Sequence, residues 1–112
     1  MSRNGWQSEQ ALKKMIKHIV MWNVKGSTLD EKSVGIQRLC HAFEGIRGKI
    51  PGMMRLEIGV DQSRVDYACD VVLYSEFESQ QALEAYATHP EHLRVRGELE
   101  GLRVARHQVD YS

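Results

Sequence analysis

The chain has 112 residues, with 15 lysines and arginines against 15 aspartates and glutamates, and 42% of its residues are hydrophobic. This length predicts one domain with a single modest core. The zero net charge argues against a nucleic-acid or acidic-membrane binder, because such a protein needs a clustered basic face. No apolar stretch of the sequence approaches the roughly 20 residues that cross a bilayer.

The beginning of the chain and its cysteines suggest where the protein works. Residues 1–14 are polar and lack the apolar run of a secretory signal, so we expect a polar leader or extension there and the folded domain at 15–112. The two cysteines form no framework of short spacings. This usage favours a reducing compartment, and we expect the protein in the cytoplasm.

The first predicted elements are a strand and a helix. β-Branched and aromatic residues predict a strand from Ile16 to Val24. One face carries Ile16, His18, Val20, Trp22 and Val24, and the other carries Lys17, Ile19, Met21 and Asn23. Thr28, with Glu31 three residues later, forms a capping-box pattern that begins a helix. Its apolar stripe consists of Ile36, Leu39, Cys40, Phe43, Ile46 and Ile50.

The second half of the chain predicts two more strands, a broken helix and a last strand. The second strand turns Met54, Leu56, Ile58 and Val60 to one face, and Asp61–Arg64 connects it to a third strand at 68–74 that is apolar on both faces. Ser79 caps a short helix, which His89-Pro90 interrupts. Pro90 begins another helix, whose apolar residues are Leu93, Leu99 and Leu102. Residues 103–111 form the final strand.

The predicted element order is βαββαβ, which indicates an α+β, ferredoxin-like subunit with an antiparallel sheet. Such a sheet has helices on one face and leaves the other bare. Ile19, Met21 and one side of the third strand would then form an exposed apolar patch. The simplest partner for that patch is a second copy, sheet against sheet, so we expect a homodimer.

The segment from Ala85 to His92 is the densest group of chemically useful residues. If Pro90 is the first helical residue, His92 lies in the first turn, where the positive end of the helix dipole favours a neutral ring. A neutral imidazole is what a general base near pH 7 requires. The Tyr86 hydroxyl could donate to a developing oxyanion, and His18 could converge on the same cavity from the first strand.

Structural interpretations of the same residues stay open. His18 is then a half-buried histidine satisfied by a backbone carbonyl, and Tyr86 a core aromatic with its hydroxyl at the edge. The remaining histidines have simpler explanations: His89 as a helix-boundary cap, His41 as a solvated residue and His107 as a sheet or interface residue.

Two further patterns give weak signals for a ligand. His89 and His92 with Glu91 offer metal-binding groups, but the proline break points the imidazoles apart and no third ligand is evident, so we expect no metal. A basic stretch consists of Arg94, Arg96, Arg103 and Arg106, interleaved with glutamates. This stretch is a weak signal for an anionic ligand and a good one for surface ion pairs.

Several segments together resemble the stress-responsive A/B barrel (Dabb) family of dimeric α+β barrels. The matching segments are Met15–Trp22, Lys49–Met53, Ser75–Ser79, Ala85–His92 and Val109–Tyr111. The resemblance implies a ferredoxin-like subunit and a homodimer whose two sheets face each other. The sequence is also similar to plant polyketide cyclases of this family, which fold a linear polyketide thioester by aldol condensation without a cofactor.

The resemblance to those cyclases implies roles for three residues. His92 would be the base that removes an α-proton, Tyr86 the hydroxyl that holds the thioester oxygen, and His18 a positioning group. The expected function is a small-molecule pocket for an organic or acyl-thioester ligand, stress-linked or carrying out cofactor-independent cyclase, lyase or isomerase chemistry. The alternatives are a non-catalytic stress or assembly protein, and a cofactor-free or haem-related oxygenase.

Overall fold

The computed structural model describes residues 14–112, so the predicted leader at 1–14 lies outside the described residues apart from its last member. The elements in chain order are β1 (Ile16–Val24), α1 (Leu29–Glu44), β2 (Met53–Val60), β3 (Val71–Phe77), α2 (Gln80–Ala87), α3 (Pro90–Glu98) and β4 (Arg103–Tyr111). The strands form one antiparallel sheet in the order β2-β3-β1-β4. The predicted α+β, ferredoxin-like fold with its broken second helix is therefore confirmed.

The local signals for the first helix and for the helix break are present as predicted. The Thr28 hydroxyl accepts a hydrogen bond from the Glu31 backbone N–H, and the Glu31 carboxylate accepts one from the Thr28 N–H. Pro90 is the first residue of α3. The side chain of His89 caps that helix by accepting from the Glu91 N–H at 3.1 Å. These caps satisfy N–H groups that have no partner inside their helices.

The core lies between the helices and one face of the sheet. Residues of β1 alternate strictly between buried and half-buried, and the buried set is the predicted one. Trp22 stacks on Phe43 of α1, with ring centroids 5.3 Å apart. Gly35 allows α1 to lie close to the sheet, because a Cβ there would come within 2.8 Å of Val24 and 2.7 Å of Leu102.

Four sequence predictions about element limits and faces were wrong. The first helix ends at Glu44, so Ile46 and Ile50 are buried in the turns that follow it. A bulge in β2 removes Met54 from the alternation and leaves it 62% exposed. The third strand begins at Val71 and not at residue 68. In α3 the buried residue is Val95, whereas Leu93 is 49% exposed and Leu99 and Leu102 follow the helix.

A buried carboxylate explains why the third strand begins late. Asp70 accepts a hydrogen bond from the Val24 N–H at 2.8 Å. It also pairs with Lys32 of α1 at 3.0 Å and with Arg64 at 3.1 Å. Burial alone would raise the pKa of Asp70, but these hydrogen bonds and charges outweigh burial and hold it below its usual value. The segment before β3 is thus a loop that Asp70 connects to α1 and β1. The apolar residues Ala68 and Cys69 had wrongly indicated a strand there.

The other side of the sheet, which we call the open face, carries no helix. Six of its side chains are apolar or aromatic: Ile19, Met21, Val72, Tyr74, Val109 and Tyr111. Val109 is 56% exposed and Tyr111 44% exposed in the single chain. No helix in the described part of the chain is long and apolar enough to cross a membrane.

Candidate functional site

A cavity of about 340 Å³ lies between the helix-covered face of the sheet and the helices. All three helices and three of the strands contribute to its wall. The apolar part of the wall consists of Val20, Trp22, Phe43, Leu73 and Leu83. The groups able to do chemistry are His18, Tyr86, His92, Arg96, Arg103, Arg106, Gln108 and Asp110, with Glu84 also lining it. A cavity of this size, with an apolar part of its wall and several polar groups that converge on it, is typical of a small-molecule site.

His18 lies on β1 and faces into the cavity with 6% of its surface exposed. Its Nδ1 is 2.5 Å from Oδ1 of Asp110 on β4, because the two residues are direct partners in the strand register. The expectation that a backbone carbonyl satisfies this ring was therefore wrong: the partner is a carboxylate. Since an ionised carboxylate only accepts, Nδ1 carries the hydrogen, and the ring is held in one orientation.

Tyr86 is the residue that the simple core interpretation explains least well. Its side chain is 3% exposed, and its hydroxyl is buried with no hydrogen-bond partner among the described residues. Burial raises the pKa of Tyr86 to about 12, so the hydroxyl keeps its proton and can donate it to an acceptor. Most buried hydroxyls are satisfied, so this one marks a place where a ligand atom or water belongs. The expected edge position of the hydroxyl was wrong.

His92 is the third residue of α3 and packs against Tyr86, with ring centroids 4.3 Å apart. Its Nδ1 is 3.1 Å from the carbonyl oxygen of Ala87. Because a carbonyl only accepts, Nδ1 carries the hydrogen, and Nε2 of the neutral ring keeps a free lone pair. Burial is the first cause that lowers the pKa of His92, and the charges of Arg96, Arg106 and Arg103 lower it further.

The structure brings the three predicted site residues to one cavity. The His18 and Tyr86 ring centroids are 6.4 Å apart, and Tyr86 lies between His18 and His92. The imidazole of His92 is kept neutral by its surroundings, and the imidazole of His18 is fixed by a carboxylate. Between them, the Tyr86 hydroxyl has a hydrogen to donate and no acceptor for it among the described residues. Such a set can remove a proton from carbon and stabilise the oxyanion that results.

A polar row on β4 completes the wall, and sequence reasoning missed two of its members, Gln108 and Asp110, and named Arg106 only as part of a basic stretch. Asp110 binds His18 and accepts from the Gln108 side chain at 3.0 Å, and Gln108 in turn accepts from Arg106. These residues alternate along β4 and face the same side as His18 and Trp22. Period-two alternation of polar residues in the predicted last strand was the signal that could have found them.

The remaining histidines take no part in the cavity. His89 is the cap of α3, His41 is exposed, and His107 faces the open side of the sheet opposite Met21. Among residues 14–112 there is no group of three or more side chains with metal-ligand chemistry. Cys40 and Cys69 are free thiols.

Comparisons with known proteins agree with the fold. The family model described as "Stress responsive A/B Barrel Domain" matches residues 16–112. A protein of unknown function from Bacteroides fragilis, described as dimeric and ferredoxin-like, is 31% identical, with a TM-score of 0.77 over 88% of this chain and 95% of its own. A comparison with curated protein sequences finds no match.

Two more distant structures show the same fold. A Dabb family protein from Mesorhizobium loti is 24% identical, with a TM-score of 0.69 over 88% of this chain and 95% of its own. A hydroxynitrile lyase from Passiflora edulis is 17% identical, with a TM-score of 0.70 over 88% of this chain and 93% of its own.

Proposed function

The chain belongs to the stress responsive A/B barrel domain family, and from that premise we propose that it is a homodimer whose cavity binds a small carbonyl compound and removes a proton from the carbon next to the carbonyl group. The observation that carries this proposal is the contact between His92 and Tyr86. The imidazole of His92 packs there at a tilt of 31° against a tyrosine whose buried hydroxyl has no partner among the described residues.

In the proposed reaction, Nε2 of His92 takes the α-proton. The electron pair of the broken C–H bond forms a double bond between the α-carbon and the carbonyl carbon, and the π pair of the C=O bond moves to the oxygen, which becomes an oxyanion. The Tyr86 hydroxyl donates a hydrogen bond to that oxygen, and His18 helps to position it. The enolate can then add to a second carbonyl group, expel a leaving group or take back a proton at another carbon, which are the cyclase, lyase and isomerase outcomes.

The environment of the site supports this chemistry. A general base works best when it is neutral at the working pH, and the lowered pKa of His92 keeps the ring neutral at pH 7. A hydrogen bond to an oxyanion is worth more from a buried donor than from one in water, and the Tyr86 hydroxyl is buried. That a protein of this fold from Passiflora edulis is a hydroxynitrile lyase makes lyase chemistry compatible with the architecture.

Replacing Tyr86 with phenylalanine tests the ligand role of its hydroxyl. Tyr86→Phe removes an unsatisfied buried polar group, so we expect the free energy of unfolding to stay level or to rise by up to about 1 kcal/mol. In a thermal-shift screen with short acyl thioesters and phenols, compounds that raise the melting temperature of the unmodified protein should raise that of the variant much less.

The matched control is Tyr67→Phe, because Tyr67 is 91% exposed and lies away from the cavity. That variant should keep both the stability and the ligand response. A loss of stability by more than about 1 kcal/mol in Tyr86→Phe would show that the hydroxyl has a partner in the protein and no role for a ligand.

The homodimer is proposed through the open face. Its apolar side chains would otherwise form an exposed patch on a small domain, and a similar protein from Bacteroides fragilis is described as dimeric. The cavity lies on the opposite, helix-covered side of the sheet, so this dimer leaves it accessible. The two free thiols suit a reducing location, and we keep the cytoplasm as the proposed one.

A charge on the open face should dissociate the dimer. Met21 lies on the central strand β1, so Met21→Glu would bury two like charges near each other in a two-fold interface. We expect the dissociation constant to rise at least about 100-fold, as 3 kcal/mol or more would produce. Val34→Glu, on the exposed side of α1, is the control and should leave the dimer intact.

Sedimentation equilibrium measures this change, with circular dichroism to check that each variant is folded. Val109→Glu on β4 is a second variant should Met21→Glu fold poorly. A dimer that persists unchanged in folded variants at both positions would place the interface elsewhere.

A further inference from the structure

Three arginines, which we call the arginine cluster, line the cavity: Arg96 of α3 with Arg103 and Arg106 of β4. Four of the other five arginines of the described chain are paired with a carboxylate, and the fifth, Arg38, donates to the backbone carbonyl of Glu98. The four paired residues are Arg47, Arg55, Arg64 and Arg94. No carboxylate of the described residues lies within ion-pair distance of the arginine cluster.

The contrast between Arg94 and Arg96 is the clearest, since both lie on α3. Arg94 is held between Glu91 at 2.9 Å and Glu98 at 2.6 Å, on the outer side of the helix. Arg96 faces the cavity and has no such partner in residues 14–112. The basic stretch seen in the sequence therefore divides into a surface ion pair and a group of cations that converge on a cavity.

The surroundings of Arg103, the half-buried member of the cluster, are poorly suited to an unpaired positive charge. The Arg103 guanidinium lies 5.1 Å from the centre of the Trp22 ring and is half-buried. Burial and the charges of Arg106 and Arg96 lower the pKa of Arg103, which means that the three cations repel one another. An anion among them would relieve this repulsion and would be bound by charge-assisted hydrogen bonds.

The two carboxylates of the cavity wall do not fill this role. Asp110 is occupied by His18 and Gln108, and it is four residues from Arg106 along β4, or about 13 Å at the usual rise of a strand. Glu84 lies on α2, is exposed and forms no ion pair with the described residues. The cavity thus has a carboxylate-bound histidine at one end of β4 and guanidinium groups without a carboxylate partner among the described residues at the other.

We propose that the ligand of this cavity is an organic anion, with a carboxylate or phosphate group bound by Arg96, Arg103 and Arg106 and an apolar body against Trp22, Phe43 and Leu73. The inference rests on the proposed function and names its substrate class. Tyr86 and His92 line the same cavity, so an anion held by the cluster would place the rest of a small ligand beside them. Planar guanidinium groups suit either anion, since both offer paired oxygens.

Calorimetric titration with three small probes tests the inference. The probes are 4-oxopentanoate, its neutral analogue 4-oxopentanamide and butyl phosphate, which separate charge from shape and carboxylate from phosphate. We expect at least one anion to bind 10-fold or more tightly than the amide. Arg103→Gln and Arg106→Gln should each weaken anion binding about 10-fold and leave amide binding nearly unchanged.

Arg94→Gln is the matched control, because it removes a cation from the same helix without changing the cavity. It should bind all three probes as the unmodified protein does. Because Arg103 packs on Trp22, Arg106→Gln and Arg96→Gln provide variants at exposed positions that should fold normally. A second readout is the His92 imidazole signal in NMR, whose pKa should rise when an anion neutralises the cluster.

The outcomes separate this inference from the proposed function. Equal binding of the acid and the amide, unchanged in the arginine variants, would overturn the anionic ligand and leave the carbonyl-binding cavity in place. Absence of binding by every probe, with no change at His92, would overturn both.

Discussion

Replacing Asp70 with alanine is expected to lower the free energy of unfolding by about 2–3 kcal/mol at neutral pH. The substitution leaves the buried Val24 N–H without an acceptor and the Lys32 and Arg64 cations without their partner. Removing one member of a fully buried ion pair costs about 3–5 kcal/mol. The loss is smaller here because the Lys32 and Arg64 side chains are 23% and 34% exposed, so water screens them.

Urea denaturation of two further variants shows whether the carboxylate is the cause. Asp66→Ala changes an exposed residue of the same loop and should alter stability by less than about 0.5 kcal/mol. Asp70→Asn keeps an acceptor for Val24 but loses the charge, so its loss should be intermediate. An Asp70→Ala loss as small as that of Asp66→Ala would mean that the loop is not held by this carboxylate.

The pH dependence of the same variants follows from the lowered pKa of Asp70. The folded state holds the pKa of the Asp70 carboxyl below its ordinary value, so the folded protein binds fewer protons there than the unfolded chain. The ionised carboxylate therefore stabilises the folded state fully above the pKa that Asp70 has in the unfolded chain. This stabilisation is lost as the pH falls through the lower pKa that it has in the folded protein. The stability difference between the unmodified protein and Asp70→Asn should therefore persist at pH 7 and shrink below about pH 4.

Much of the fold was predictable because its signals are local. The alternation in β1, the capping box at Thr28 and the break at His89-Pro90 each depend on residues within a few positions of one another. The start of β3 was not predictable in this way. The apolar pattern of the third strand extends back to Ala68 and Cys69. Asp70, however, pairs with Lys32, which is 38 residues away in the chain, and this contact makes the segment a loop.

In the candidate site too, contacts between residues close in sequence were predictable and contacts between distant residues were not. His92 and Tyr86 belong to one segment, so their proximity could be inferred from the helix break between them. The partner of His18 is Asp110, 92 residues away, and only the register of β1 with β4 brings the two together. The arginine cluster also depends on that register. The lowered pKa of His92 was expected from its helix terminus, whereas burial is the largest cause; the hydrogen bond to Ala87 opposes it, and the charges of the arginine cluster lower the pKa further.

Loss of His92 should abolish the proposed proton transfer. A positioned general base contributes about 100-fold to 10,000-fold to a reaction rate, so His92→Gln should slow the reaction by at least about 100-fold. Because the neutral ring is the active form, the rate should be level at pH 7 and should fall as the pH drops through the lowered pKa of His92. His41→Gln, at an exposed histidine on α1, is the control and should react normally.

Deuterium incorporation at the carbons next to the ketone tests this account most directly. The protein is mixed in D₂O with saturating 4-oxopentanoate or 4-oxopentanamide, whose α-hydrogens exchange slowly on their own, and the α-proton signals are followed by NMR. We expect loss of those signals with the unmodified protein and with His41→Gln, and exchange at the rate of buffer alone with His92→Gln. Binding of either probe in the cavity with exchange no faster than in buffer, or equal exchange with His92→Gln, would contradict it.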